Sequence, residues 1–178
     1  MSRHDNEVWK ARLSVQMESL PDLNMQKSAV LEALITHLDS ELAGLLRGAR
    51  ASFAAATDPD SKAENKYDTR TLEASYVARG QAQRVAEVQE ARHSFLQLRD
   101  LPVGPTVKLG SLITLDMGSH QDHYFLSPAE GGIEVIVEGQ EIMAITPASP
   151  LGSQLMGLSI GERVKLPSGV SAQLITLL

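Results

Sequence analysis

Two long runs of apolar residues at three- and four-residue steps flank one short polar stretch, and nothing else in the chain constrains the fold as tightly. In the first run, from about Asn24 to Ala56, the stripe is Val30, Leu31, Leu34, Leu38, Leu42, Leu45, Ala49 and Phe53. Glu32, Asp39, Glu41, Arg47 and Arg50 fall mostly between these positions, and Asn24 is placed to cap the start. About 30 residues at 1.5 Å each predict a helix of roughly 45–50 Å. The second run, 65–99, repeats the behaviour with Leu72, Val77, Ala78, Ala82, Val85, Val88, Ala91, Phe95 and Leu98. The small residues Ala74, Ala78 and Ala82 would let two helices approach closely. Gly44, Gly48 and Gly80 cost some helicity without outweighing the pattern. The pattern predicts an antiparallel helical hairpin over 25–99. Its far end is the stretch Asp58-Pro59-Asp60-Ser61-Lys62-Ala63-Glu64-Asn65-Lys66-Tyr67-Asp68, so the hairpin is a rod with an acidic tip, suited to delivering carboxylates elsewhere.

The character changes at Asp100-Leu101-Pro102-Val103-Gly104-Pro105, where two prolines and a glycine end the helix and open a linker over 100–106. Beyond it, short apolar stretches alternate with turn signals, as in a small antiparallel sheet over 107–178. The predicted strands are Leu112–Leu115, Tyr124–Leu126, Ile133–Val137, Ile142–Ile145, Val164–Leu166 and Ala172–Leu177. Glu138-Gly139 reads as a hairpin turn. Ser149-Pro150 reads as the cap and first position of a short helix over Leu151–Met156. The expected fold class is α+β. Residues 1–24 form an arm in which Val8, Trp9, Leu13 and Val15 make a weakly amphipathic segment. Its bland reading is a partly ordered terminus whose Trp9 covers an apolar patch. Ser19-Leu20-Pro21-Asp22 then reads as a turn.

With no cysteine, disulfides, zinc–thiolate sites and thiol nucleophiles are excluded. No apolar run approaches the roughly 20 residues of a membrane span, and the first residues lack a signal-peptide pattern. A cytoplasmic protein is the expectation. Residues 1–99 are nearly balanced, with 13 Lys/Arg against 14 Asp/Glu, whereas residues 100–178 carry 3 against 8. An acidic second half is a poor grip for phosphates. A protein partner with a basic face suits it better. The histidines are scattered. His120-x-x-His123 falls in an expected loop without a third ligand nearby, which favours solvent-exposed histidines over a metal pair.

Residues Val107-Lys108-Leu109-Gly110-Ser111-Leu112-Ile113 are similar to the opening strand of the C-terminal domain of the bacterial GreA/GreB-type transcript cleavage factors. Ile145-Thr146-Pro147-Ala148-Ser149-Pro150-Leu151-Gly152-Ser153-Gln154-Leu155-Met156-Gly157, running on through Gly161-Glu162-Arg163-Val164, resembles that domain more sharply. With the hairpin, the resemblance covers about residues 25–178. It implies a coiled coil that enters the secondary channel of RNA polymerase and an FKBP-like domain that docks on the channel rim through Ser149, Pro150, Gly152, Leu155 and Gly157. It also implies tip carboxylates that help hold a second Mg²⁺, so that the polymerase cleaves its own backtracked RNA; the factor is then no enzyme by itself. A loosely held Mg²⁺ in a two-metal site needs additional oxygen ligands. Lys62, Asn65, Lys66 and Arg70 would meet the nascent RNA 3′ end or the channel wall, and a monomer is expected.

The family tip reads approximately Asp-Leu-x-Glu-Asn-Ala-Glu-Tyr. Glu64-Asn65 matches its Glu-Asn, which gives Glu64 a metal-site role by position. The partner Asp would fall at Ser61; Asp60 lies one position early. Either the tip is re-spaced and Asp60 serves with Glu64 on Mg²⁺, or the protein occupies the channel as a regulator without stimulating cleavage. Simpler readings stand beside these. Ser61 and Glu64 fit a capping box, Asp58 and Asp60 fit a turn around Pro59, and Asp68 fits a helix-start charge. Lys62, Lys66 and Arg70 share one helical face that could simply be solvated. A third class of function is a helical-hairpin adaptor or self-associating scaffold. Prolyl isomerase activity is rejected, because few aromatic residues are present to line such a pocket and shape confers no activity.

Overall fold

The computed structural model describes residues 23–57, 70–166 and 169–178. Helix α1 (Leu23–Thr57) and helix α2 (Arg70–Leu96) are the two arms of the hairpin. Asn24 therefore lies inside α1 and does not cap it. The two arms run antiparallel, as Arg99 binds Glu32, Arg92 binds Asp39 and Arg84 binds Glu41 across the seam.

Strands β1 (Leu112–Asp116), β2 (Gln121–Leu126), β3 (Glu134–Val137), β4 (Gln140–Ile145), β5 (Arg163–Lys165) and β6 (Ser171–Leu177) form one sheet in the order β3-β4-β2-β1-β6-β5. Helix α3 (Pro150–Leu155) lies between β4 and β5 in the chain. All six expected strands are present, within a few residues of their expected ends. The all-antiparallel expectation needs one correction, because β2 and β4 pair in parallel, with His123 opposite Ile142 and Leu126 opposite Ile145. The β3–β4 hairpin fills β4's other side, so β4 arrives beside β2 in the same direction. Glu138 (φ 53) and Gly139 (φ 77) make the two-residue turn of that hairpin. Positive φ at both central positions is what the right-handed twist of the flanking strands demands.

Two apolar layers sit on opposite faces of the sheet. On one face the base of the hairpin packs Val30, Leu31, Leu34, Ile35, Leu38, Val88, Ala91, Phe95 and Leu98 onto Leu112, Phe125, Val135, Ile142, Ala144 and Leu178. Phe95 stacks on Phe125 with ring centroids 6.3 Å apart. On the other face Leu151 and Leu155 of α3 cover Ile113, Leu115, Leu126, Ile145, Leu174 and Leu177. A shift of register between Thr114 and Leu115 lets Leu174 and Leu177, an odd number of residues apart, share that face.

The apolar stripe of the hairpin is buried only near the sheet. Leu42, Leu45 and Ala49 are half-buried, and Phe53 is 71% exposed. In α2 the expected small-residue row is displaced: Ala78 and Ala82 are exposed, as is Val77, and the seam continues through Gln81, Arg84 and Val85. Alternating steps of four and three back from Phe95 give Ala91, Val88, Arg84 and Gln81. Leu72 and Ala74 fall outside the described side chains.

Candidate functional site

Asp60 and Glu64, with Lys62, Asn65 and Lys66, lie outside the described residues, as do Trp9 and the turn at residues 19–22. Arg70 opens α2. The structure does describe the rod that carries the tip and the body that carries the rod. Burial of the α1 stripe ends at Leu38. From there to Thr57 the helix continues for roughly 28 Å at 1.5 Å per residue. Along that length the described residues present Arg47, Arg50 and Arg79, Glu73, and exposed Phe53, Tyr76 and Val77.

A clasp of ion pairs joins the rod to the body. The Arg84 guanidinium donates two parallel bonds to Glu130, Nη1 to Oε1 at 2.9 Å and Nη2 to Oε2 at 3.0 Å. It also donates to Glu41 Oε1 from Nε at 3.0 Å and from Nη2 at 2.8 Å. These bonds, first to Glu130 and then to Glu41, hold the arginine pKa above its usual range. Glu130 lies in the loop between β2 and β3 and adopts φ 54, a conformation uncommon for a side chain of this kind. One residue thus ties α2, α1 and the sheet together. At the other end of the base, the buried Lys27 donates from its ammonium to the Leu101 carbonyl at 3.3 Å, just after α2 ends. Burial, and then the neighbouring Lys108, lower its pKa. Sequence reasoning missed both contacts; the partners are 46 and 74 residues apart in the chain.

The segment expected to dock is built around a cap. Ser149 Oγ accepts from the Gly152 N–H at 3.0 Å and donates to the Thr146 carbonyl at 2.8 Å, and Pro150 takes the first turn of α3. A Cβ on Gly152 would sit 2.0 Å from the Thr146 oxygen, so only glycine allows α3 to lie this close. Gly157 (φ 82) reverses the chain and donates to the Val107 carbonyl. Leu155 is fully buried and Gly152 is buried with it. These two therefore shape the segment from within and offer no surface, whereas Pro150 and Gly157 are exposed and Ser149 is half-buried. Beside α3 opens a groove of about 550 Å³ lined by Met117, Tyr124, Met143, Ile145, Leu151 and Val170, with Asp122 and Ser149 on its rim. Tyr124 donates to Asp122 at 3.2 Å, and burial first, then Asp122, push its phenol up to about 12.

The two histidines of His120-x-x-His123 part company. His120 is exposed, whereas His123 lies on β2, half-buried, with Nδ1 3.1 Å from Thr114 Oγ1. Burial lowers the His123 pKa, against the raising influence of Asp122. Among the described residues no three His, Asp or Glu side chains converge on one point as metal ligands would, and no helix is long and apolar enough to cross a membrane.

No family model matches the sequence, and no curated protein matches it. Among solved structures, the chain is similar to the crystal structure of GreA factor homolog 1 (Gfh1) of Thermus thermophilus. The identity is 18%, the TM-score 0.33, and the overlap 81% of this chain and 94% of that one. Thermus aquaticus Gfh1 gives 20%, 0.33, and 82% and 94% coverage. A further structure of the transcription factor Gfh1 gives 20%, 0.33, and 82% and 93%.

Proposed function

We propose that this chain is a transcription factor of the GreA/GreB type that binds RNA polymerase, inserts its helical rod into the secondary channel and brings the carboxylates of Asp60 and Glu64 to the active site. There they would help hold Mg²⁺ for cleavage of backtracked RNA. The observation that supports the reading best is mechanical. A two-helix rod is packed on the sheet at its base and tied to it by Arg84, and the acidic stretch 58–68 connects its far ends. Carboxylates on such a rod can reach a recessed site while the body stays outside. The exposed Pro150, which shares its groove with Asp122, would supply a face for a basic partner surface. In this reading Lys62, Asn65, Lys66 and Arg70 approach the RNA 3′ end.

A second reading keeps the docking and drops the chemistry. Ser61 stands where the family places its first acidic residue, and Asp60 is one position early. A channel-occupying regulator follows if that spacing cannot serve a metal. RNA release from a stalled, backtracked elongation complex with Mg²⁺ separates the two. Under the first reading, cleavage rises with the intact protein and is lost in both Asp60→Ala and Glu64→Ala while polymerase binding persists. Binding without cleavage by the intact protein leaves the regulator, and absence of binding to core polymerase removes both.

A further inference from the structure

The sheet is open at β3. Among the described residues β3 bonds to β4 alone. In a two-residue hairpin the pair next to the turn, here Val137 and Gln140, is hydrogen-bonded, and bonding alternates from there. Val135 and Val137 therefore bond inward to β4, as does Ile133, whose carbonyl accepts from the Ala144 N–H. The N–H and C=O of Glu134 and Ile136 point outward. Ile136 is 75% exposed, with Glu141 directly across the ladder and Glu134 two residues before it on the same face. Beyond the bulge at Gly132, where Gly132 and Ile133 together oppose Ala144, the strand has no proline or lysine to blunt its edge, and such edges are ones that proteins cover.

The chain carries a segment with the matching pattern. From Trp9 to Met17 the residues alternate without a break: Trp9, Ala11, Leu13, Val15 and Met17 are apolar, and Lys10, Arg12, Ser14 and Gln16 are polar. Period two over nine residues is a strand signature. We propose that residues 9–17 add to the free edge of β3 as a further strand of the sheet.

Geometry fixes the direction. Val30 of α1 lines the same crevice as Val137 and Glu138, whereas Glu41, further along α1, meets Glu130 through Arg84. Helix α1 thus runs antiparallel to β3, with its first turns nearest the end of β3 at Val137. Leu23 lies about 10 Å before Val30 along the helix axis. Residues 18–22 can span about 17 Å. The arm therefore runs toward the Val137 end of β3, parallel to it; with Leu13 beside Val137, Lys10 and Arg12 lie beside Glu134 and Ile136, and the residues after Leu13 lead on to Leu23.

Charge fixes the edge and the face. Lys10 and Arg12 fall on the side of Glu134 and Glu141, with their aliphatic stems across Ile136. The apolar row then falls on the α1 side, over the half-buried Ile133 and Val137. The opposite edge of the sheet, β5, carries Arg163 and Lys165 and would repel the same arm. A second copy paired through β3 would bring Glu134 and Glu141 against their own equivalents. The proposal is independent of any role at RNA polymerase.

Residue-by-residue amide exchange on the full chain tests it. The outward amides of Glu134 and Ile136 are expected to exchange at least tenfold more slowly in the intact protein than in Leu13→Pro or after removal of residues 1–17. Val135 and Val137, bonded to β4, should change little, which shows the body still folded. Trp9 is the only tryptophan, so tryptophan emission, excited selectively over tyrosine, reports the arm and should move to the red in Leu13→Pro. Fast exchange at Glu134 and Ile136 in the intact chain overturns the proposal. Protection that survives both arm variants also overturns it, and protection that grows with protein concentration gives the edge to a second copy.

Discussion

The two halves of the hairpin both carry an apolar stripe but have opposite surroundings. Near the sheet, α1 and α2 bury Val30, Leu34, Leu38, Val88 and Phe95 completely, because the sheet supplies a third surface against the seam. Beyond Gly44 and Gly80 the sheet no longer covers the seam among the described residues, and Phe53, Tyr76 and Val77 are exposed. Two helices alone cannot enclose a stripe as wide as the one a globular helix carries. The difference teaches that the rod draws its stability from its base. The far half is free to carry residues chosen for what they touch in another molecule.

The comparison is sharpest for two phenylalanines. Phe95→Ala should cost about 3–5 kcal/mol, since the ring is fully buried and stacked on Phe125. Phe53→Ala should stay within about 0.5 kcal/mol. Urea unfolding of the two variants checks both figures, and equal losses would erase the distinction between base and shaft.

Glycines give the next largest contrast. Gly152→Ala forces a Cβ onto the Thr146 carbonyl and should cost about 3 kcal/mol. Gly80→Ala meets open space on the shaft and should stabilise by about 1 kcal/mol. Thermal unfolding should therefore move in opposite directions for the same substitution.

Arg84 stands at the border between the halves. Its removal should cost about 1 kcal/mol, as expected of a partly exposed ion-pair network, and the loss should shrink at 1 M salt. A more telling readout is the angle between rod and sheet, which distance measurements between labels on α2 and β3 would find broadened in Arg84→Ala.

The smallest effect concerns pH. His123 has a pKa below the ordinary 6.5, mainly through burial. The unfolded chain therefore binds the proton first, and the stabilising contribution, full above pH 6.5, is lost as pH falls through the lower folded value. His123→Gln should flatten the stability profile in that window, which urea unfolding across the pH range checks.

The sequence by itself determined what depends on neighbours within a few residues. Both helices, all six strands, the Glu138-Gly139 turn and the Ser149-Pro150 start of α3 were legible, since periodicity, turn chemistry and capping are local. The acidic stretch between the helices was equally plain, although how its carboxylates are arranged lies outside the described residues. Only the tertiary structure decided that β2 and β4 run parallel, that the α2 seam passes through Gln81 and Arg84 beside the exposed Ala78 and Ala82, and that Leu155 is buried under its own helix. The same holds for Arg84 reaching Glu130 and for His123 turning inward to Thr114. Each of these joins residues on different elements or depends on what covers a face. An apolar pattern states that a side must be covered, and the cover itself is chosen when distant segments compete for it.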